Sequence, residues 1–141
     1  MQYRKFGGRY YVRIDRGEEI LSQLKALCEH EHITLAEVKA LGAVDDFTVG
    51  LFDVAEKKYH VNRFTFPAEI VSLWGTVTTK DGKFYPHIHL SAGDKDGHVF
   101  GGHMNSARVS ATCEMVIDVV DGIVERKMSE EVGLNLFEFV E

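Results

Sequence analysis

Pro86-His87-Ile88-His89-Leu90-Ser91 and, one short loop later, Gly101-Gly102-His103 hold the side chains of this 141-residue chain best suited to chemistry. In a strand, residues two apart point to the same face, so His87 and His89 lie together while Ile88 and Leu90 face a core. Two imidazoles in that arrangement suit a borderline-soft cation such as Zn²⁺. Ala92-Gly93-Asp94-Lys95-Asp96-Gly97 has the composition of a turn. A reversal near its middle pairs residues whose numbers sum to about 189 or 190, which sets His103 opposite His87 or its neighbour, with Cβ atoms ~5 Å apart. Three protein ligands leave a position open, the pattern of a catalytic rather than a purely structural zinc site. An ion there can activate water or polarise a substrate oxygen. Histidine count does not separate Zn²⁺ from Fe²⁺, Ni²⁺ or Mn²⁺. The plainer alternative leaves the three as solvated or hydrogen-bonded strand histidines. His98 differs from His103 by an odd number and faces away, unless a bulge at Gly101-Gly102 breaks the parity.

A general base or fourth ligand requires a carboxylate nearby. Glu69, Asp94, Asp96 and Glu114 are the candidates, and Arg108 and Arg126 are candidate clamps for an anionic substrate. Of these, Glu69, Glu114 and Arg108 are the candidate catalytic residues. Each also has an ordinary reading as a solvated or surface-paired group. Cys113, among Ala111, Met115 and Val116, reads as a small buried hydrophobe. Trp74, Phe64, Phe66 and Tyr85 read as core or subunit-interface packing, with a base-stacking platform as the sharper alternative. Gly101-Gly102 lacks the Lys-Ser/Thr and the following helix of a phosphate loop.

The elements that must position these residues are mostly strands. One segment, from about Gly17 to His32, has helical periodicity: Ile20, Leu21, Leu24, Leu27 and Cys28 form one apolar stripe. Asp15 is the expected N-cap with Glu18 as its capping-box partner. His30 and His32 are expected at the surface near the helix end. Strands are expected at Tyr10 to Ile14, Phe47 to Val54, Lys58 to Phe66, Glu69 to Thr79 and Phe84 to Leu90, and Leu35 to Val44 is ambiguous. Lys80-Asp81-Gly82-Lys83 reads as the turn between the last two strands. Val109 to Val120 and Ile123 to Met128 read as a hairpin about Asp121-Gly122, and Leu136 to Val140 as a final short strand. Pro67 and Pro86 fit strand starts or edges. The sum is a single α+β domain over residues 1–141, one main helix on a mostly antiparallel sheet.

Composition narrows the classes. With 45% apolar residues the chain is not disordered. No window approaches 18 consecutive apolar residues, so no membrane span is expected. Met1-Gln2-Tyr3-Arg4-Lys5 has no signal-peptide stretch. Cys28 and Cys113, 113 − 28 = 85 positions apart, do not make a disulfide framework, and a reduced, cytoplasmic setting follows. The net charge is 16 − 22 = −6 and the isoelectric point about 5.6, unlike a general nucleic-acid binder.

Tyr10-Tyr11-Val12-Arg13-Ile14-Asp15-Arg16-Gly17-Glu18-Glu19, Leu41-Gly42-Ala43-Val44, Glu69-Ile70-Val71-Ser72-Leu73-Trp74-Gly75, Pro86-His87-Ile88-His89, Asp96-Gly97-His98-Val99-Phe100-Gly101-Gly102-His103 and Gly133-Leu134-Asn135-Leu136 follow one another over nearly the whole chain. In these segments the sequence resembles the plant and prokaryote conserved (PPC) domain family, in its stand-alone prokaryotic form. The resemblance implies an α+β domain, a homotrimer, and zinc held by three histidines, here His87, His89 and His103. The family is commonly labelled DNA-binding through plant members that carry AT-hook motifs, and this sequence contains no Arg-Gly-Arg-Pro hook. At fold level the family is also similar to acetolactate decarboxylase, a zinc enzyme with a His-x-His motif.

Three functions follow as expectations. The first is a trimeric cytoplasmic zinc protein that binds or transforms a small oxygen-bearing ligand. The second is DNA association, whose affinity would fall steeply with salt. The third is an interaction scaffold in which the trimer is the product.

Overall fold

The computed structural model describes residues 1–139. Among them are nine strands and one helix: β1 (Gln2–Phe6), β2 (Arg9–Asp15), α1 (Ile20–His30), β3 (Ala36–Asp53), β4 (Lys58–Phe64), β5 (Ala68–Lys80), β6 (Lys83–Gly93), β7 (Val99–Val119), β8 (Glu125–Ser129) and β9 (Leu134–Glu138). Seven strands form one antiparallel sheet in the order β1-β2-β7-β6-β5-β3-β4. A further β3–β7 ladder joins strands that this order leaves apart, so β3, β5, β6 and β7 close a ring. Closure gives both sides of the first half of β3 a partner: Ala36 faces Val77 on β5 and Val119 on β7. The ambiguous 35–44 segment and the strand expected after it are therefore one 18-residue strand.

The alternation expected in the strands sets the core. Ile88 and Leu90 point inward with Val38, Phe47, Val77 and Ile117, and all are almost fully buried. Phe64 and Phe66 join Phe47 and Phe100 against this core, so they do not share a platform with Trp74.

Helix α1 packs Ile20, Leu24, Leu27 and Cys28 onto the sheet. Its N-cap is Glu19, not Asp15: the Glu19 carboxylate accepts from the N–H groups of Leu21 and Ser22 at 3.0 and 2.7 Å. The expected partnership survives only in part, since Glu18 accepts from the Asp15 N–H at 2.8 Å. The helix begins later because residues 17 and 18 bond to β7, Gly17 N–H to the Val109 carbonyl and Val109 N–H to the Glu18 carbonyl. It ends with His32 in the left-handed region at φ 55° and Ile33 N–H donating to the Cys28 carbonyl, a Schellman closure. His30 and His32 are exposed, as expected.

The Asp81-Gly82 turn has φ of 52° and 71° at its two central residues, the primed geometry that suits a two-residue hairpin. Pro67 immediately precedes β5. Pro86 lies in the part of β6 that has no β7 partner, because that ladder begins at His89. The expected hairpin of β7 with residues 123–128 does not form. Over its last half β7 already has β2 on one side and β3 on the other. The chain therefore crosses to β5, where Thr79 N–H donates to the Val124 carbonyl, and β8 pairs with β9 in a separate two-stranded sheet. Strand β9 covers most of the expected final strand; Val140 lies outside the described residues.

Candidate metal centre

Inward-pointing Ile88 and Leu90 force His87 and His89 onto the outer face of β6. His103 reaches the same place from β7. Its direct partner is His89, not His87 or Pro86, and the pair numbers sum to 89 + 103 = 192. The loop accounts for the shift. The Asp94 carboxylate accepts from the N–H groups of Asp96 and His98, both at 2.9 Å, and the Asp94 N–H donates to the His98 carbonyl. This tight turn centres the reversal at residue 96.

The two-residue displacement keeps the faces unchanged, so the three rings still meet. Ring centroids are 5.2 Å apart for His87–His89, 5.4 Å for His87–His103 and 5.8 Å for His89–His103. One ring nitrogen from each residue lies within 4.8 Å of those from the other two. Three imidazoles at that spacing fit a divalent ion of borderline softness.

Burial, then the neighbouring rings, holds the His87 imidazole below its ordinary range, with Arg126 adding to the effect. Burial and then His89 do the same for His103. His87 retains solvent contact as a residue, but its ring is crowded. Both rings are therefore neutral at pH 7, the protonation state a metal ligand needs.

On the neighbouring β5, Trp74 stands opposite His89 and Thr76 opposite His87. The Trp74 indole Nε1 donates to Glu37 at 2.7 Å, and Glu37 also pairs with Lys39 at 3.2 Å. On the β7 side Tyr59 lies edge-on to His103, and its hydroxyl donates to Asn105 Oδ1 at 2.8 Å. Tyr85, two residues before His87, stacks on the Arg126 guanidinium. Trp74 was legible only as packing or stacking, and Tyr59 and Glu37 gave no signal, because Tyr59 arrives on β4 through the β3–β7 ladder and Glu37 on β3 through its ladder with β5, pairings between segments far apart in the chain.

The candidate carboxylates and Arg108 stay apart from the three rings. Glu69 pairs with Gly93 and Ala43 at the other end of β5. Glu114 sits eleven positions past His103 on β7, opposite Arg13 and Leu41. Arg108 is tied to Asp45 at 2.8 Å. Asp94 and Asp96 remain in the loop, where Asp94 also meets His98 at 3.2 Å. Arg126 is almost fully buried and clasps the β8–β9 hairpin: Nε donates to Thr78 Oγ1 at 3.0 Å and Nη1 to the Asn135 carbonyl at 3.1 Å, between the Tyr85 and Phe137 rings. Cys113 is fully buried, which pushes its thiol up to about 12 and leaves it inert.

Gly101 and Gly102 form no phosphate loop. A Cβ on Gly101 would stand 2.7 Å from the Leu90 carbonyl oxygen, and one on Gly102 2.6 Å from that of Gly50. The pair lets the neighbouring strands approach beside His103.

Comparison with solved structures agrees with this architecture. A metal-containing protein from Archaeoglobus fulgidus is 34% identical, superposes with a TM-score of 0.87, and matches over 99% of each chain. A plant- and prokaryote-conserved (PPC) protein from Pyrococcus horikoshii is 31% identical, with a TM-score of 0.86 over 99% of this chain and 96% of that one. A Bacteroides thetaiotaomicron protein with a provisional DNA-binding label is 28% identical, with a TM-score of 0.95 over 98% and 96%. No curated protein matches the chain in sequence. The family model of the Plants and Prokaryotes Conserved (PCC) domain matches residues 1–121, and the chain belongs to that family.

Proposed function

We propose that the chain is a homotrimeric, cytoplasmic metal protein in which His87, His89 and His103 hold a zinc ion and leave a position open to a small oxygen-bearing ligand. The observation that carries this reading is the convergence of one nitrogen from each ring within 4.8 Å. The metal-containing relative from Archaeoglobus supports it. A bound divalent ion supplies Lewis acidity at that place. Trp74 and Tyr59 border the opening, and no carboxylate among the described residues joins the three nitrogens. Glu69, Glu114 and Arg108 receive no catalytic role here, because their strands carry them elsewhere.

The trimer is supported by an apolar groove on the outside of the sheet. Tyr11, Leu41, Val71 and Trp74 line it while more than half exposed. Monomeric proteins rarely leave large contiguous apolar patches open to water. Closed cyclic assembly covers such a patch in every copy.

The deciding measurement is metal content per chain in protein purified without added metal or an affinity tag. We expect about one zinc per chain, lost in His89→Ala and kept in His98→Ala, as removal of one of three ligands requires. Stoichiometric zinc in His89→Ala would sink the reading. The provisional DNA-binding label of the Bacteroides relative favours DNA association as a second reading. That reading requires a mobility shift that weakens steeply with salt, against a chain charge of −6.

A further inference from the structure

We propose that Tyr59 is a positioning residue for His103, reaching it across a gap that Gly50 leaves in β3. Gly50 is the β3 partner of His103 on one side and of Val61 on the other, so it lies between the metal-site strand and β4. A Cβ at position 50 would stand 2.5 Å from both Cζ and Oη of Tyr59, and 2.5 Å from the His60 carbonyl oxygen. The Tyr59 ring therefore lies over bare backbone, in space that any other residue at position 50 would fill.

What the ring does there follows from its contacts. It meets the His103 imidazole edge-on, with centroids 6.1 Å apart and planes at 89°. Its hydroxyl donates to Asn105 Oδ1 at 2.8 Å and lies 3.5 Å from the His103 carbonyl oxygen. Asn105 is two residues beyond His103 on β7, and Tyr59 meets both side chains. Tyr59 is thus fixed at both ends, on the ring it touches and on the strand that carries that ring. A half-exposed imidazole otherwise samples several rotamers, and a metal site requires one of them. Tyr59 removes that freedom before any ion arrives. Most of β4 faces solvent, whereas Tyr59 is half-buried, so the strand's main inward contact at this point is directed at His103.

The affinity consequence rests on the metal reading of the three histidines; the orientation of His103 does not. Two measurements separate them. The first is proton NMR of the metal-free protein. Tyr59→Ala should move the ring-proton shifts of His103 and leave those of His98 in place, while Tyr59→Phe, which keeps the ring, should move them little. Unchanged His103 shifts in Tyr59→Ala overturn the proposal whatever the protein does with metals. The second is Co²⁺ titration followed by its visible absorption. Tyr59→Ala should weaken binding about tenfold or more and alter the band, the size expected when an outer partner of a ligand is lost. Tyr59→Phe should keep the wild-type band. Val61→Ser, an exposed change on the same strand, should leave both unchanged; an equal loss there would mean that β4 merely stabilises the sheet, and would overturn the proposal. Absence of Co²⁺ binding by the wild-type chain would count against the metal reading alone.

Discussion

Trp74 stands directly across the β5–β6 ladder from His89, with its indole anchored to Glu37. It is the chain's single tryptophan, and directly opposed residues hold their Cβ atoms ~5 Å apart. Its fluorescence is therefore a local reporter on the histidine cluster. Cu²⁺ should quench most of the emission, saturating near one equivalent. Prior Zn²⁺, a filled-shell ion, should protect the emission by occupying the same nitrogens. His89→Ala should abolish the saturable component. Quenching that rises without saturation, or persists unchanged in His89→Ala, would place the copper elsewhere.

The lowered affinities of His87 and His103 for protons set a pH dependence for the metal-free protein. An unfolded histidine titrates near 6.5, and both folded rings titrate below it, mainly through burial. Below about pH 6.5 the unfolded chain binds protons that the folded chain refuses, so stability falls with pH in that window. Above it both states are neutral and the contribution is complete. With a chelator present, the urea midpoint should be flat from pH 8 to 7 and then fall toward pH 5.5. The His87→Gln/His103→Gln variant should lose most of that slope. Equal slopes in the two proteins would show that other groups dominate.

Arg126 links the β8–β9 hairpin to the ring. Its replacement by alanine removes a charged hydrogen bond to Thr78 and two aromatic contacts. Such losses add to roughly 2–4 kcal/mol. Lysine should not rescue it, because an ammonium cannot reproduce the planar fork. Trypsin should then cut Arg126→Ala rapidly at Lys127, and the urea midpoint should drop. Unaltered resistance would assign the docking of the hairpin to Glu125, which accepts from Thr79 Oγ1 at 2.6 Å and from the Asp81 N–H at 3.0 Å.

The parts of this architecture legible in the sequence are those that local periodicity controls. Residues 87 and 89 share a face because strand side chains alternate, and no later detail of the fold changes that. The Asp81-Gly82 turn and the buried stripe of α1 are local in the same sense. Register depends on the loop, and the Asp94 carboxylate moved it by gathering two backbone N–H groups that composition did not reveal. Strand β1 left no trace because all five residues are exposed and have no inward alternation. Ring closure by β3 and β7 joins residues as distant as Ala36 and Val119. It is the step that brings Tyr59 to His103, and no short-range pattern encodes it.

The groove supports a test that leaves the fold of one chain intact. Leu41 is 63% exposed on β3, and its partner across the β3–β7 ladder is Glu114. Burying a leucine stabilises by about 1.5–3 kcal/mol, and a cyclic trimer would collect that contribution in each copy. Leu41→Arg puts a charge where the apolar contact would form. Within one chain the same arginine faces the Glu114 carboxylate, and opposite charges directly across a ladder are favourable. The folded monomer is therefore preserved while the assembly is disfavoured. Light scattering behind a sizing column should give about 3 × 15.9 = 47.7 kDa for the wild type and one third of that for Leu41→Arg, with matching circular dichroism. A wild-type monomer would remove the trimer, and a trimeric Leu41→Arg would move the contact away from this groove.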